Sequence, residues 1–304
     1  MSVGAVVLTV VGVGAAFAGG LVLFLRRVWF YRDPLRIPPD DPEAILAPAD
    51  GKFIYARRFT GGKVFVEKLG KTIPVTEISG TDFGARESGW VMGVYMTPLD
   101  VHFNYAPVAG TVSRVVHTPA AVNLPMLDLR EYIKLTYLRQ AIDLFGRRYH
   151  LSNERNTIFI DVDRPCSQGT GAMRGTAGVP GAGRTRIAVV EIADKFVNKI
   201  RCFVKEGDIL RPGQKLSFIE RGSQVDLVIP GDDIEVVARV GQQVYGARTV
   251  IARFRDRGYG KGDAKDGGDC GGGGGGADGR SNGGSGRDCD DEGETAGGGR
   301  LTQS

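Results

Sequence analysis

Histidine, tryptophan and cysteine are scarce in this chain of 304 residues, which holds three, two and four of them. The cysteines stand at 166, 202, 270 and 289 with no Cys-x-x-Cys spacing, a pattern that supplies neither a disulfide framework nor a zinc site. Cys202 alternates with apolar neighbours and is expected to be a buried strand residue. With only His102, His117 and His150 present, proton transfer near neutral pH has few carriers. Charge is absent from the first 25 residues, and aliphatic side chains are almost absent from the last 47. The two ends are therefore unlike the middle.

Residues Val3 to Leu25 are apolar apart from Thr9. At 1.5 Å per residue they span roughly 34 Å, enough for a hydrocarbon core of about 30 Å, so residues 1–27 are expected to be a membrane anchor. A cleaved secretory signal is the alternative, favoured by Ala16, Ala18 and Gly19 and opposed by the lack of positive charge ahead of the apolar run. Arg26, Arg27 and Arg32 follow at once, which places the bulk of a bacterial chain on the cytoplasmic side, with Trp29, Phe30 and Tyr31 at the interface. The tail, 258–304, is dominated by Gly and cannot bury enough apolar surface to offset its ordering entropy, so disorder is expected there. It carries net charge −4 and leaves residues 1–257 at +8 against +4 for the whole chain. A basic body beside a bilayer suits an anionic lipid, though ordinary solvation of Lys and Arg gives the same count. No metal or nucleic-acid partner is indicated.

Residues 28–257 read as one domain of many short strands. Lys52–Ala56, Lys63–Val66, Val91–Met96, Gly110–His117, Thr157–Val162, Ile187–Ile192, Lys199–Val204, Gln224–Ile229 and Glu235–Val237 alternate or run apolar between Gly, Pro and Asp. Asp50-Gly51, after Ile45-Leu46, is a hairpin signal. The expected fold class is mainly β (α+β), with barrel-sandwich-like hairpins behind one transmembrane helix. Leu127 to Phe145 carries apolar residues at steps of three and four and predicts an amphipathic helix, while 164–184 lacks periodicity and predicts a loop.

Chemistry concentrates between Gly213 and Pro230, where Gly222-Ser223 interrupts what otherwise reads as two strands. A hydroxyl beside a glycine can attack the preceding carbonyl, although in so Gly-rich a chain the dipeptide alone marks a turn. Three further segments accompany it: Ala47-Pro48-Ala49-Asp50-Gly51, Thr97-Pro98-Leu99-Asp100-Val101-His102-Phe103-Asn104-Tyr105-Ala106-Pro107-Val108-Ala109-Gly110, and Asn153-Glu154-Arg155-Asn156. In order and spacing these four resemble the motifs of the phosphatidylserine decarboxylase family, and most closely its short archaeal and bacterial branch, over roughly residues 30 to 245.

The resemblance implies that Ser223 cleaves the chain after Gly222 and becomes a pyruvoyl group, which takes up an amine substrate as a Schiff base and draws electrons from the breaking bond to CO2. It further implies an anionic serine phospholipid as substrate, phosphatidylethanolamine as product, and two fragments that stay together as a heterodimer; a homo-oligomer is left open. Serine needs a base to take its proton, and His102 is the candidate, with Asp50 orienting or supporting it. Asp100, Asn153, Glu154, Arg155 and Tyr105 are candidates for substrate contact or support, and for the first part of 127–145 the resemblance implies, instead of one long helix, a substrate-facing loop or short helix near the membrane. Read locally, Asp50 is a turn former, Tyr105 a strand aromatic and Asn153-Glu154-Arg155 a turn entering a strand. The sequence departs from longer members, which have a second histidine where Tyr105 stands and Leu-Gly-Ser-Thr where Arg221-Gly222-Ser223-Gln224 stands. The expectation is that His102 serves in place of that histidine; His117 and His150, outside the motifs, are expected to be structural or exposed. A different class is also compatible with the segments 106–112 and 204–214, which look like the hairpins of lipoyl or biotinyl carriers and membrane-fusion adaptors, with Lys195 as the modified residue.

Overall fold

The computed structural model describes residues 2–66, 70–80, 88–138, 140, 142–163, 184–195, 200–220 and 223–255. The tail at 258–304, the loop expected at 164–184 apart from Arg184, and Gly222 lie outside the described residues.

The apolar start forms helix α1 (Val3–Phe24), capped by the Ser2 hydroxyl, which accepts from the Ala5 N–H at 3.4 Å. A π-helical turn, Leu25–Trp29, extends it. This is the one helix among the described residues that is long and apolar enough to cross a membrane, and no residue of α1 is buried against protein.

The body is built from strands, as the alternation predicts. With strands numbered in chain order, the large sheet runs β11 (Ile209–Leu210), β7 (Gly110–Thr118), β8 (Arg155–Asp163), β9 (Arg184–Ala193), β13 (Ser223–Pro230), β5 (Ser88–Met96), β2 (Gly51–Thr60), β3 (Lys63–Val66) and β4 (Lys71–Pro74), with β15 (Gln243–Val244) also on β2. Two three-stranded sheets accompany it: β1 (Ala44–Leu46), β16 (Val250–Phe254) and β14 (Ile234–Val236), and β10 (Ile200–Cys202), β12 (Lys215–Ile219) and β6 (Phe103–Tyr105). One face of the large sheet, with Phe53, Met96, Ile158, Val189, Val225 and Leu227, packs on Ile45, Leu216, Ile219 and Ile251 of the small sheets. The other face, with Tyr55, Phe59, Tyr95, Phe159, Val190 and Val228, packs on Ile78 of α2 (Val75–Ser79), Leu135 of α3 (Leu129–Thr136) and Tyr149 of α4 (Arg148–Ser152). β13 lies in the middle of this arrangement, and all eight of its residues are buried.

Four local expectations are corrected. Asp50-Gly51 is not a hairpin turn, because β1 pairs with β16 and not with β2. Gly51 instead opens β2 at φ 153° where a Cβ would lie 2.1 Å from the Tyr95 carbonyl oxygen, so only glycine passes. The helix expected over 127–145 is confined to Leu129–Thr136, started by an Asp128–Glu131 capping box. Beyond it the Asp143 carboxylate accepts from the Phe145 N–H at 3.1 Å, a local turn that competes with helical bonding. Cys202 is exposed, because β10 lies at the edge of its small sheet. Phe30, expected at the lipid interface, is buried against protein with 8% exposure.

Candidate active site

Ser223 is the first residue of β13, pairs with Met96 of β5 and Ala193 of β9, and is fully buried. Its hydroxyl donates to the Met96 sulfur at 3.1 Å. A thioether is a weak acceptor, so this contact holds the hydroxyl only lightly. The strand alternation puts Ser223 and Val225 on the face of the small sheets, and Gln224 and Asp226 on the face of the helices.

His102 follows a tight turn. The Thr97 N–H and hydroxyl both donate to the Asp100 carboxylate, at 2.8 and 2.7 Å, and Gln243 donates to its other oxygen at 3.0 Å. Asp100 therefore fixes the turn. His102 is fully buried and its Nδ1 lies 2.9 Å from the Asp100 carbonyl oxygen. A carbonyl can only accept, so Nδ1 carries the proton in this contact and the lone pair of the neutral ring resides on Nε2. Burial, reinforced by the nearby Arg32 charge, lowers the imidazole to about 3, and the ring is neutral at physiological pH. The His102 carbonyl accepts from the Ile219 N–H at 3.1 Å, tying this turn to the end of β12, four residues before Ser223.

Asp50 is buried at 3% exposure, and its two oxygens are engaged by Arg36 Nη2 and the Gly246 N–H, both at 2.7 Å. Desolvation pushes its carboxyl up, opposed by the guanidinium. The same Arg36 lies over the ring of Tyr105, 5.8 Å from its centroid. Burial lifts the Tyr105 phenol to about 12, so it is held protonated, able to donate but not to serve as a base as a histidine would.

The Asn153-Glu154-Arg155 segment braces the strand beside Ser223. Asn153 donates to the carbonyls of Ala193 and Leu124 at 2.7 and 2.8 Å and accepts from the Leu124 N–H, while the Glu154 carbonyl takes the Ala193 N–H. The Glu154 carboxylate lies 3.5 Å from half-exposed His117. Arg155 is buried and donates to the carbonyls of Glu77, Ile78 and Leu151. Ala193 is the register partner of Ser223, so the bonds of Asn153 and of the Glu154 carbonyl reach the candidate nucleophile through one backbone residue.

Two polar clusters escape the sequence reading. Glu191 of β9, on the Ser223 side, is fully buried and accepts from Asn104 at 3.0 Å, Asn156 at 2.9 Å and the Ser217 hydroxyl. Burial pushes its carboxyl up. Asn104 and Asn156 both fall inside the quoted motifs, which is the one signal that pointed here. On the opposite face, Asp226 lies 2.5 Å from His150 Nε2 and accepts from Tyr55 at 2.6 Å and Gln224 at 2.8 Å, while Tyr149 donates to Gln224 at 2.6 Å. Tyr55 reaches Asp226 across Gly93, where a Cβ would meet the ring at 2.4 Å. His150 is thus buried.

With this geometry in hand, comparison with known proteins is decisive. A family model for phosphatidylserine decarboxylase matches residues 23–252. The chain belongs to the phosphatidylserine decarboxylase family. Its members are carboxy-lyases, and the match covers both hairpins that resemble carrier domains as well as Lys195, so those features belong to a decarboxylase fold. A phosphatidylserine decarboxylase proenzyme of Carboxydothermus hydrogenoformans is 31% identical over 254 residues, covering 82% of this chain and 91% of the relative. Two proteins that carry the name archaetidylserine decarboxylase proenzyme are also similar. That of Methanothermobacter thermautotrophicus is 31% identical over 74% of this chain and 79% of its own, and that of Methanocaldococcus jannaschii is 29% identical over 76% and 90%. All three relatives carry the word proenzyme in their names.

Proposed function

We propose that this chain is a self-cleaving decarboxylase of a serine phospholipid, phosphatidylserine or a close relative, held at the membrane by α1 with its body on the cytoplasmic side. The observation that supports the proposal is how the motif segments lie about the start of β13: Asn153 and Glu154 bond to Ala193, one register partner of Ser223; the His102 carbonyl bonds to Ile219, four residues before Ser223; and Asp50 precedes β2, whose Lys52 pairs with Tyr95 beside Met96, the other register partner.

In the maturation step the Ser223 hydroxyl oxygen bonds to the Gly222 carbonyl carbon as the Gly222–Ser223 C–N bond breaks, giving an ester. Loss of the Ser223 α-proton and of the ester oxygen leaves fragment 1–222 with a free carboxylate and dehydroalanine at 223. One water then converts that residue to a pyruvoyl end with release of ammonia. Neutral His102 is suited to take the hydroxyl proton, because burial keeps its ring unprotonated well below physiological pH. The pyruvoyl group supplies the electron sink, by Schiff-base chemistry with the substrate amine, that lets CO2 leave. The Asp100 turn holds the imidazole in one tautomer, Asn153 ties its segment to the Ala193 carbonyl of β9, and Arg155 ties β8 to the carbonyls of α2. The two fragments share the large sheet, since β13 is hydrogen bonded to β5 and β9 along its length, which favours a stable heterodimer after the cut.

Intact-mass measurement on the purified full chain tests this. The expected result is two fragments, 1–222 and 223–304, the second with a blocked pyruvoyl end, together with CO2 release from phosphatidylserine. A single uncut chain that still decarboxylates would sink the proposal, and so would a cut at another peptide bond.

A further inference from the structure

The chain leaving α1 does not merely connect the anchor to the body. No residue of α1 is buried, yet within six residues of its end Phe30 is nearly enclosed. The Phe30 ring lies 4.1 Å, centroid to centroid, from the His102 imidazole and meets Phe218 of β12 edge-on at 5.7 Å. Tyr31 stacks on Phe218 at 5.5 Å. The Leu99 carbonyl, inside the turn that carries His102, accepts from Trp29 Nε1 at 3.3 Å and from Arg32 Nη2 at 2.5 Å. Asp33 pairs with Lys215, and Arg36 ends the stretch on Asp50 and over Tyr105. The contacts form a continuous strap across the turn, β12 and the start of β2.

We infer that Phe30 and Arg36 are positioning residues of the active site, and that the strap from Trp29 to Arg36 completes the site rather than serving as a linker. The inference rests on the decarboxylase reading of His102 and Asp50. Physically, Phe30 removes water from one face of the imidazole and fixes its plane, while Arg36 keeps a buried carboxylate charged and aimed. The apolar helix, in contrast, contributes only attachment. Its sequence should be replaceable, whereas the strap should not.

The test uses the full-length protein in detergent with a short-chain phosphatidylserine, so that membrane delivery does not limit the rate. Phe30→Ala is expected to lower kcat by roughly 100-fold, in the range of lost acid-base positioning, with KM changed far less. Phe30→Leu, which restores an apolar cover, is expected to recover most of it. Replacing residues 3–24 by an unrelated apolar helix is expected to leave kcat unchanged. Phe30→Ala with wild-type kcat, or a helix exchange as damaging as Phe30→Ala, would overturn the inference while wild-type activity leaves the decarboxylase reading intact. If the wild type neither cuts nor decarboxylates, that reading fails instead, and the strap is judged by NMR titration of the three imidazoles, which needs no activity. Arg32 on the strap is the charge that acts on His102, and Asp100 meets it through its carbonyl. Opening the Phe30 cover should raise the His102 midpoint by about one unit or more; an unmoved midpoint counts against the strap. Should Phe30→Ala fail to fold, Phe30→Val, which shortens the cover without removing it, carries the test, with unchanged kcat and an unchanged His102 midpoint as the overturning result.

Discussion

His102 and His150 are both fully buried, on opposite sides of the large sheet near β13, and their surroundings differ in kind. His150 sits 2.5 Å from the Asp226 carboxylate within a network that also engages Tyr55, Gln224 and Tyr149. His102 meets a backbone carbonyl at Nδ1 and a phenyl ring on its face, and burial with the nearby Arg32 charge keeps it neutral. A carboxylate–histidine pair is usually the first thing sought beside a catalytic serine. Here that pair lies on the face of β13 turned away from Ser223, packed under the helices. On the proposed reading, burial and a carboxylate partner do not by themselves mark the histidine that serves Ser223; the direction of the strand decides which side its hydroxyl can use.

The largest expected effects test that division directly. Ser223→Ala should leave an uncut chain with no decarboxylation, read by intact mass and CO2 release. His102→Ala should give an uncut chain or an inert one, a loss of roughly 10²- to 10⁴-fold in whichever step it serves. If His102→Ala cuts and turns over normally while His150→Ala does not, the assignments of the two faces are reversed.

A smaller effect, of a different kind, is expected on the far face. Asp226→Asn leaves Tyr55 and His150 without their shared carboxylate in a dry interior, and breaking such a buried pair costs about 3–5 kcal/mol. Thermal or denaturant unfolding should register that loss, while the fraction that remains folded still cuts at 222–223. A variant of undiminished stability that fails to cut would move Asp226 from architecture to chemistry.

The same contrast explains what was legible in the residues beforehand. Strands β2, β5, β7, β8, β9 and β13 are written in alternation, and Ser223, His102 and Asp50 in motifs. The burial of Gln224 and Asp226 was not legible, because polar residues at period two ordinarily signal a solvated strand face. Here α2, α3 and α4 with their loops cover that face, a fact of tertiary packing that no local window contains. Glu191 is hidden in the same way, as one acidic residue within Val189-Val190-Glu191-Ile192, since its three donors come from β6, β8 and β12. Phe30 follows an apolar helix and so reads as an interface residue, and Arg36 carries no local signal; their contacts with His102 and Asp50 depend on where the body folds back beneath them. The Asp50-Gly51 hairpin failed for a related reason, because β1 finds its partner some two hundred residues downstream in β16.

The mildest expected effect is a pH dependence set by His102. The His102 imidazole titrates at about 3 in the folded chain and near 6.5 when unfolded, so between those values the unfolded state binds the extra proton. Stability must then fall as pH drops from about 6.5 toward 3, by up to ~1.4 kcal/mol per unit from this group alone. Asp50, Glu191 and Asp194 act in the opposite sense, because burial raises their carboxyl groups and favours the folded state as they take up protons. The raw pH profile mixes both contributions, and a difference between variants isolates one. His102→Asn keeps an N–H near the Nδ1 position and cannot titrate, so its Tm should fall less than that of the wild type between pH 6.5 and 4.5. Parallel curves for the two proteins would mean that His102 charges equally well in both states, and would remove the neutral imidazole on which its role as a proton acceptor depends.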